Sequence, residues 1–139
     1  WGLARIDRES SRMRWALAHQ QVRAARLLYE HSLEWLIAKC DAVEDWSLEE
    51  QGQLTLDQVS VAHMAKDAVR SLMDGLGSSP YGLEDPLQRR LRDIHVIANH
   101  LGQDFDVVAD RGARWLLGLG RNANDPFPPR KTERQATGS

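Results

Sequence analysis

From Arg8 to Cys40 the chain carries neither glycine nor proline, and its apolar residues recur at helical steps in two neighbouring stripes. One runs Trp15, Ala18, Val22, Ala25, Tyr29, Leu33, Leu36; the other runs Met13, Leu17, Ala24, Leu28, Trp35. This spacing predicts a single long helix, which at 1.5 Å per residue spans on the order of 50 Å, ordinary for a bundle. An apolar arc so wide calls for burial on more than one side.

After an acidic link through Asp41, Glu44 and Asp45, two capping-box patterns follow, Ser47-Leu-Glu-Glu50 and Thr55-Leu-Asp-Gln58, and one of them starts a second helix. Its Val59, Ala62, Ala65, Val69, Leu72 and Leu76 face one way, while Lys66, Asp67 and Arg70 face water. The stretch from Gly75 to Gly82, with Gly77, Ser78, Ser79 and Pro80, ends it. This loop is glycine-rich without being a phosphate-binding fingerprint. Asp85-Pro86-Leu-Gln88 opens a third helix, with Asp as cap, Pro at the first helical position and Gln able to reach back. Leu87, Leu91, Ile94, Ala98, Leu101, Phe105, Val108, Gly112 and Trp115 keep steps of three and four, which predicts one unbroken helix packed against the first two.

The expected fold class is therefore all-α, an antiparallel bundle of three long helices over residues 1–120. An extended or disordered tail follows over 121–139, where Asn122 to Pro129 cannot continue a helix. A first residue of Trp and a final Gly138-Ser139 point to a piece cut from a longer chain, with a cloning scar at its end that is excluded from fold reasoning.

Composition narrows the function classes. Eighteen basic against 20 acidic residues leave a net charge of -2, so no basic field exists to hold nucleic acid or an anionic membrane. No apolar run reaches the roughly 18–20 residues of a membrane span, and Arg5, Asp7, Arg8 and Glu9 stand where a signal peptide would be apolar. Cys40 is the only cysteine, which excludes an intrachain disulfide and a cysteine metal cage and fits a cytoplasmic protein.

Five histidines are the side chains that titrate near neutral pH without help. His19, His31 and His63 stand among ordinary helix neighbours and carry no argument. His95 and His100 belong to a denser cluster, Arg92 to His100. On a continuous helix Arg92, His95 and Asn99 border one edge of the seam, and Asp93, His100 and Asp104 the other. The two histidines then cannot serve one pocket, and their spacing of five misses the geometry by which helical histidines share a metal. No metal site is expected. Ser78 and Ser79 lack a nucleophile elbow and an oxyanion motif, so a serine hydrolase is not indicated either. Asp93 and His100 lie two helical turns apart, so periodicity alone yields no finished catalytic pair and leaves open that this polar stripe is only an interface rim. Arg89 and Arg90 read as a solvated or intersubunit face.

The order of glycine loop, Pro86-Leu-Gln-Arg, Arg92-Asp93 and a helix ending Trp115-Leu-Leu-Gly118-Leu resembles the C-terminal domain of the acyl-CoA dehydrogenase superfamily over about Arg8 to Leu119. The likeness is most specific from Gly75 to Gly118, where GLGSSPYGLEDPLQRRLRDIHVIANH is similar to flavin-dependent hydroxylases of this fold. Many dehydrogenases place a catalytic Glu before a Gly-Thr; laid over that pattern Gly102 matches, but Leu101 occupies the base position and cannot act as one. The neighbouring His100 matches a histidine that the hydroxylases turn toward the flavin.

The resemblance thus implies a two-component flavin-dependent monooxygenase that hydroxylates an aromatic or related ring substrate. It implies reduced flavin (FADH2 or FMNH2) with O2, a separate flavin reductase, a homo-oligomer, expected as a tetramer, and no metal. His100 is the expected catalytic residue, taking a proton from a phenolic substrate or hydrogen-bonding activated oxygen. The cofactor-binding assignments are Gly77, Ser78, Ser79, Arg92, Asp93 and His95, with the loop meeting a flavin, often a neighbouring subunit's, and Arg92 and Asp93 holding helix and loop. The superfamily's N-terminal helical and middle β-domains, and one bundle helix before Trp1, are missing from this sequence, so alone it is expected to be inactive and to leave an apolar face exposed. The alternatives are an acyl-CoA dehydrogenase that desaturates an acyl-CoA with FAD and a base from elsewhere, and a non-enzymatic helical interaction module.

Overall fold

The computed structural model describes residues 7–100 and 102–122. Within them lie four helices, α1 (Glu9–Asp41), α2 (Leu48–Leu76), α3 (Pro86–Ala98) and α4 (Phe105–Leu116), with a 3₁₀ turn at Ser79–Tyr81 before α3. The described residues hold no strand, and none of their helices is long and apolar enough to cross a membrane. Nearly all of the expected tail lies outside them; Arg121, at its start, stands over the Trp115 ring at 4.7 Å.

α2 is the centre of the molecule, with α1, α3 and α4 all packed on it. Its Val59 and Met73 are fully buried, each worth about 1.5–3 kcal/mol of apolar burial. α1 lies against it through small residues, burying Ala18 and Ala25. Near one end two hydroxyls tie the pair: Ser11 Oγ donates to the Gly75 carbonyl (3.0 Å) and Ser71 Oγ to the Arg14 carbonyl (3.2 Å). The backbones are so close there that a Cβ on Gly75 would sit 2.9 Å from Arg14 Cβ. Farther along, Asp57 is buried beneath the two helices, accepting from Ser32 Oγ (2.9 Å) and Gln53 Nε2 (2.7 Å).

Ser47 opens α2 with a complete capping box. Its hydroxyl accepts from the Glu50 amide (3.1 Å), and the Glu50 carboxylate accepts from the Ser47 amide (2.9 Å), so Thr55 and Gln58 fall inside the helix. Lys39, in the last turn of α1, closes the joint, bonding Glu50 at 2.8 Å and Glu44 at 3.3 Å with its ammonium 5.7 Å from the Trp46 ring. The hydrogen bond to Lys39, then that from the Ser47 amide, holds the Glu50 carboxyl below its ordinary value.

The third helix is not continuous. α3 ends at Ala98 with Asn99 as C-cap, and α4 begins after Asp104, whose Oδ1 accepts from the Val107 amide (3.2 Å). The six-residue link between them carries its own cap residues at both ends and Gly102 inside it. The apolar seam survives the break because both pieces bury the same side on α2: Ala98 from α3, and Val108, Gly112 and Trp115 from α4. α4 crosses α2 where Gly112 meets Gly52. Asp85 caps α3 as expected, accepting from the Leu87 amide (2.8 Å), but Gln88 does not close a box; its Oε1 is buried without a partner.

The outer side of α1 stays open. Met13, Trp15, Val22, Tyr29, Leu33 and Leu36 are exposed, as are Val96 and Ile97 on α3. Grooves of ≈ 680 Å³ by Trp15 and Leu72 and ≈ 460 Å³ between Leu33, Val61 and Ile97 follow from that open face.

Candidate functional site

The α3–α4 link is where backbone groups leave the helical ladder and a titratable ring meets solvent. His100 therefore sits in the link, not on the helix that opens at Asp85, and the two-edge wheel that paired it with Asp93 and Asp104 does not apply. The ring is exposed, and its Nδ1 accepts a long hydrogen bond from the Gly102 amide (3.3 Å). An amide can only donate, so in the neutral ring the proton sits on Nε2, which points a donor outward. The same residue's carbonyl accepts from the Gln103 amide at 2.6 Å, closing a tight turn.

One sequence-silent residue reaches this turn from another helix. His63, half-buried on α2, donates through Nε2 to the Gln103 carbonyl (3.3 Å), and its ring stands 5.1 Å from that of Phe105, the first residue of α4. Forty positions separate the bonded residues, so no local spacing could have revealed the contact.

His95 is bound up differently: its Nδ1 donates to the Leu91 carbonyl at 2.7 Å, one turn back in α3, and the ring is half-buried. Asp93 pairs with Arg89 at 3.8 Å on the exposed face of α3, and no hydrogen bond joins it to His100. Arg92 is exposed. Gly77, at φ 73°, takes the left-handed conformation that favours glycine, and a Cβ there would meet nothing within 4 Å. Ser78 and Ser79 are exposed beside it, their carbonyls accepting from Tyr81 and Gly82, while the buried Pro80 pins the turn.

These residues form two clusters, not one. The Gly77–Ser79 loop precedes α3 and His100 follows it, about 20 Å away along a helix of 13 residues. A single small ligand group cannot touch both. The loop offers open space beside Gly77 and two exposed serine hydroxyls that can donate or accept hydrogen bonds. The link offers an exposed imidazole and no spare carboxylate, since Asp104 is committed to the α4 cap. Among the described residues no three His, Cys, Asp or Glu side chains are grouped to hold a metal ion.

Residues 3–105 match the family model described as acyl-CoA dehydrogenase, C-terminal domain. Among curated proteins the chain is similar to a pigment production hydroxylase of Rhodococcus sp. (strain ATCC 21145), 26% identical over 112 residues. That alignment covers 81% of this chain and 28% of the hydroxylase, so the chain spans under a third of its relative's length. No solved structure matches the chain significantly. The all-helical architecture of the described residues agrees with the matched family, and the chain belongs to the acyl-CoA dehydrogenase C-terminal domain family.

Proposed function

We propose that this domain serves as the C-terminal part of a two-component flavin-dependent monooxygenase that hydroxylates an aromatic or related ring substrate. A separate reductase would supply reduced flavin, FADH2 or FMNH2, and the domain would work in a homo-oligomer in the cytoplasm. The observation that carries the reading is His100 in the α3–α4 link, exposed, with Nδ1 on the Gly102 amide and a proton left on Nε2. The similarity to a hydroxylase supports it.

The bound flavin would supply the activation of molecular oxygen. His100 Nε2–H can donate a hydrogen bond to an oxygen atom presented to it. It takes up a substrate proton only at Nδ1, or at Nε2 after a change of tautomer, and either way Nδ1 releases Gly102. The donor role is therefore favoured over the general-base role. Gly77, Ser78 and Ser79 would hold the polar end of a flavin, that of a neighbouring subunit given their distance from His100. Arg92 and Asp93 lie on the exposed face of α3, where Arg92 can meet a phosphate and Asp93, paired with Arg89, a partner subunit. His95, tied to Leu91, keeps only Nε2 for such a contact.

An acyl-CoA dehydrogenase needs a carboxylate to remove the proton α to its thioester. Leu101 stands where many of those enzymes have it, and the link's Asp104 is occupied by capping. The deciding experiment gives the protein of natural length reduced FMN or FAD, air and para-cresol, and separately gives oxidised FAD and butyryl-CoA. Oxygen uptake with a hydroxylated product supports the proposal; bleaching of FAD by the thioester without oxygenation refutes it.

A further inference from the structure

We infer that His63 is a positioning residue for His100: from α2 it fastens the α3–α4 link so that the Gly102 amide stays on the His100 ring. This role rests on the oxygenase reading of His100. Among the described residues of this six-residue, glycine-containing link, two bonds close it on itself, the Gln103 amide to the His100 carbonyl (2.6 Å) and the Gly102 amide to His100 Nδ1 (3.3 Å). The Gln103 residue is held from both ends, its N–H on His100 and its carbonyl on His63 Nε2 at 3.3 Å. Because a carbonyl only accepts, His63 must carry its proton on Nε2.

The His63 ring also packs on Phe105 at 5.1 Å with the planes tilted by 59°. One side chain thus touches the last part of the link and the first residue of α4. Losing its N–H frees the Gln103 carbonyl, lets the turn open, and with it the geometry by which Gly102 fixes the His100 tautomer. His63 itself is half-buried beneath the link and need touch neither substrate nor flavin.

Two substitutions separate the hydrogen bond from packing. His63→Leu keeps an apolar body against Phe105 and removes the donor; His63→Gln places an amide N–H near the Nε2 position and restores it. In the protein of natural length, hydrogen–deuterium exchange read by mass spectrometry should speed about 3- to 10-fold in peptides covering the link in His63→Leu. Exchange in α1 should be unchanged, and His63→Gln should stay near the wild type. Should leucine unfold the bundle, His63→Phe, which keeps a ring against Phe105, takes its place. Link exchange unchanged by loss of the donor, or sped equally by Gln and Leu, overturns the inference.

The second readout is the share of consumed oxygen released as hydrogen peroxide with reduced FMN and para-cresol. That share should rise several-fold in His63→Leu, fall back in His63→Gln, and be no greater in the His63→Leu/His100→Ala pair than in His100→Ala alone. Additive losses in the pair overturn action through His100. If His100→Ala leaves the partition alone, the oxygenase reading fails, while the exchange result still decides whether His63 holds the link.

Discussion

Replacing Gly52 with alanine puts a methyl group where α2 and α4 cross. The new Cβ would lie 2.9 Å from the Gly112 carbonyl oxygen, 3.0 Å from Trp115 Cβ and 3.3 Å from the Leu116 amide nitrogen. Two of those three atoms are α4 backbone and cannot rotate aside, so relief requires α4 to move out as a body. Against this, alanine favours a helix interior over glycine by about 0.5–1 kcal/mol. Overpacking of a close contact costs about 1–3 kcal/mol, and the rigid neighbours place this site in the upper part of that range. The expected net loss is about 1–2 kcal/mol, a fall in Tm of roughly 3–8 °C for a domain of this size. Thermal unfolding followed by circular dichroism measures it, and Gly52→Val should be worse than Gly52→Ala. An alanine variant that is more stable than the wild type, as propensity alone dictates, would refute the close α2–α4 crossing that sets the far end of the His100 link.

Further outcomes follow from other contacts. Asp57→Ala should destabilise the bundle by about 0.5–1.5 kcal/mol in urea unfolding, because it removes the buried acceptor of Gln53 and the α1–α2 tie to Ser32, whose hydroxyl keeps the Leu28 carbonyl at 2.8 Å; no measurable change would mean that the site is wetter than the fold implies. The Glu50 carboxyl is held below its ordinary 4.5 chiefly by Lys39, so its contribution is present above that pH and is lost as pH falls through the lowered folded-state value. Lys39→Met should move the Glu50 titration, followed by carboxyl carbon NMR, back up toward 4.5, and an unmoved midpoint contradicts the contact. Ser47→Ala should cost about 1 kcal/mol by removing one half of the capping box, measured in the same urea assay; no loss would mean that α2 starts elsewhere.

Much of this architecture was legible in the residues. The glycine-free run to Cys40, the Ser47 box, Gly77 and the Asp85-Pro86 start each carry a local physical cause, and each element begins or ends within a residue or two of where that cause puts it. The break in the third helix was missed for a physical reason as well. Steps of three and four report which residues face the core; they do not report that the backbone between them is continuous, and α3 and α4 keep facing α2 across the link. The signals lay in Asn99, Gly102 and Asp104, a C-cap residue, a glycine and an N-cap residue within six positions.

The site was legible only in part. His100 stood out as a titratable group in the Arg92–His100 cluster and by the resemblance to the hydroxylases, but its tautomer depends on the Gly102 amide turning toward Nδ1, which only the broken helix allows. His63 resembled an ordinary helix residue because its partner is 40 positions away. The distance between the Ser78–Ser79 loop and His100 could not be read from residue order; it is set by the length of α3 between them.

The most direct test of the central claim compares His100→Ala and His100→Gln with the wild type in the protein of natural length, measuring hydroxylated product and hydrogen peroxide formed per oxygen consumed. A donating Nε2–H predicts that alanine shifts oxygen several-fold toward free peroxide and that glutamine, with an amide N–H near the same position, recovers much of the loss. Equal partition in all three proteins would contradict a chemical role for His100.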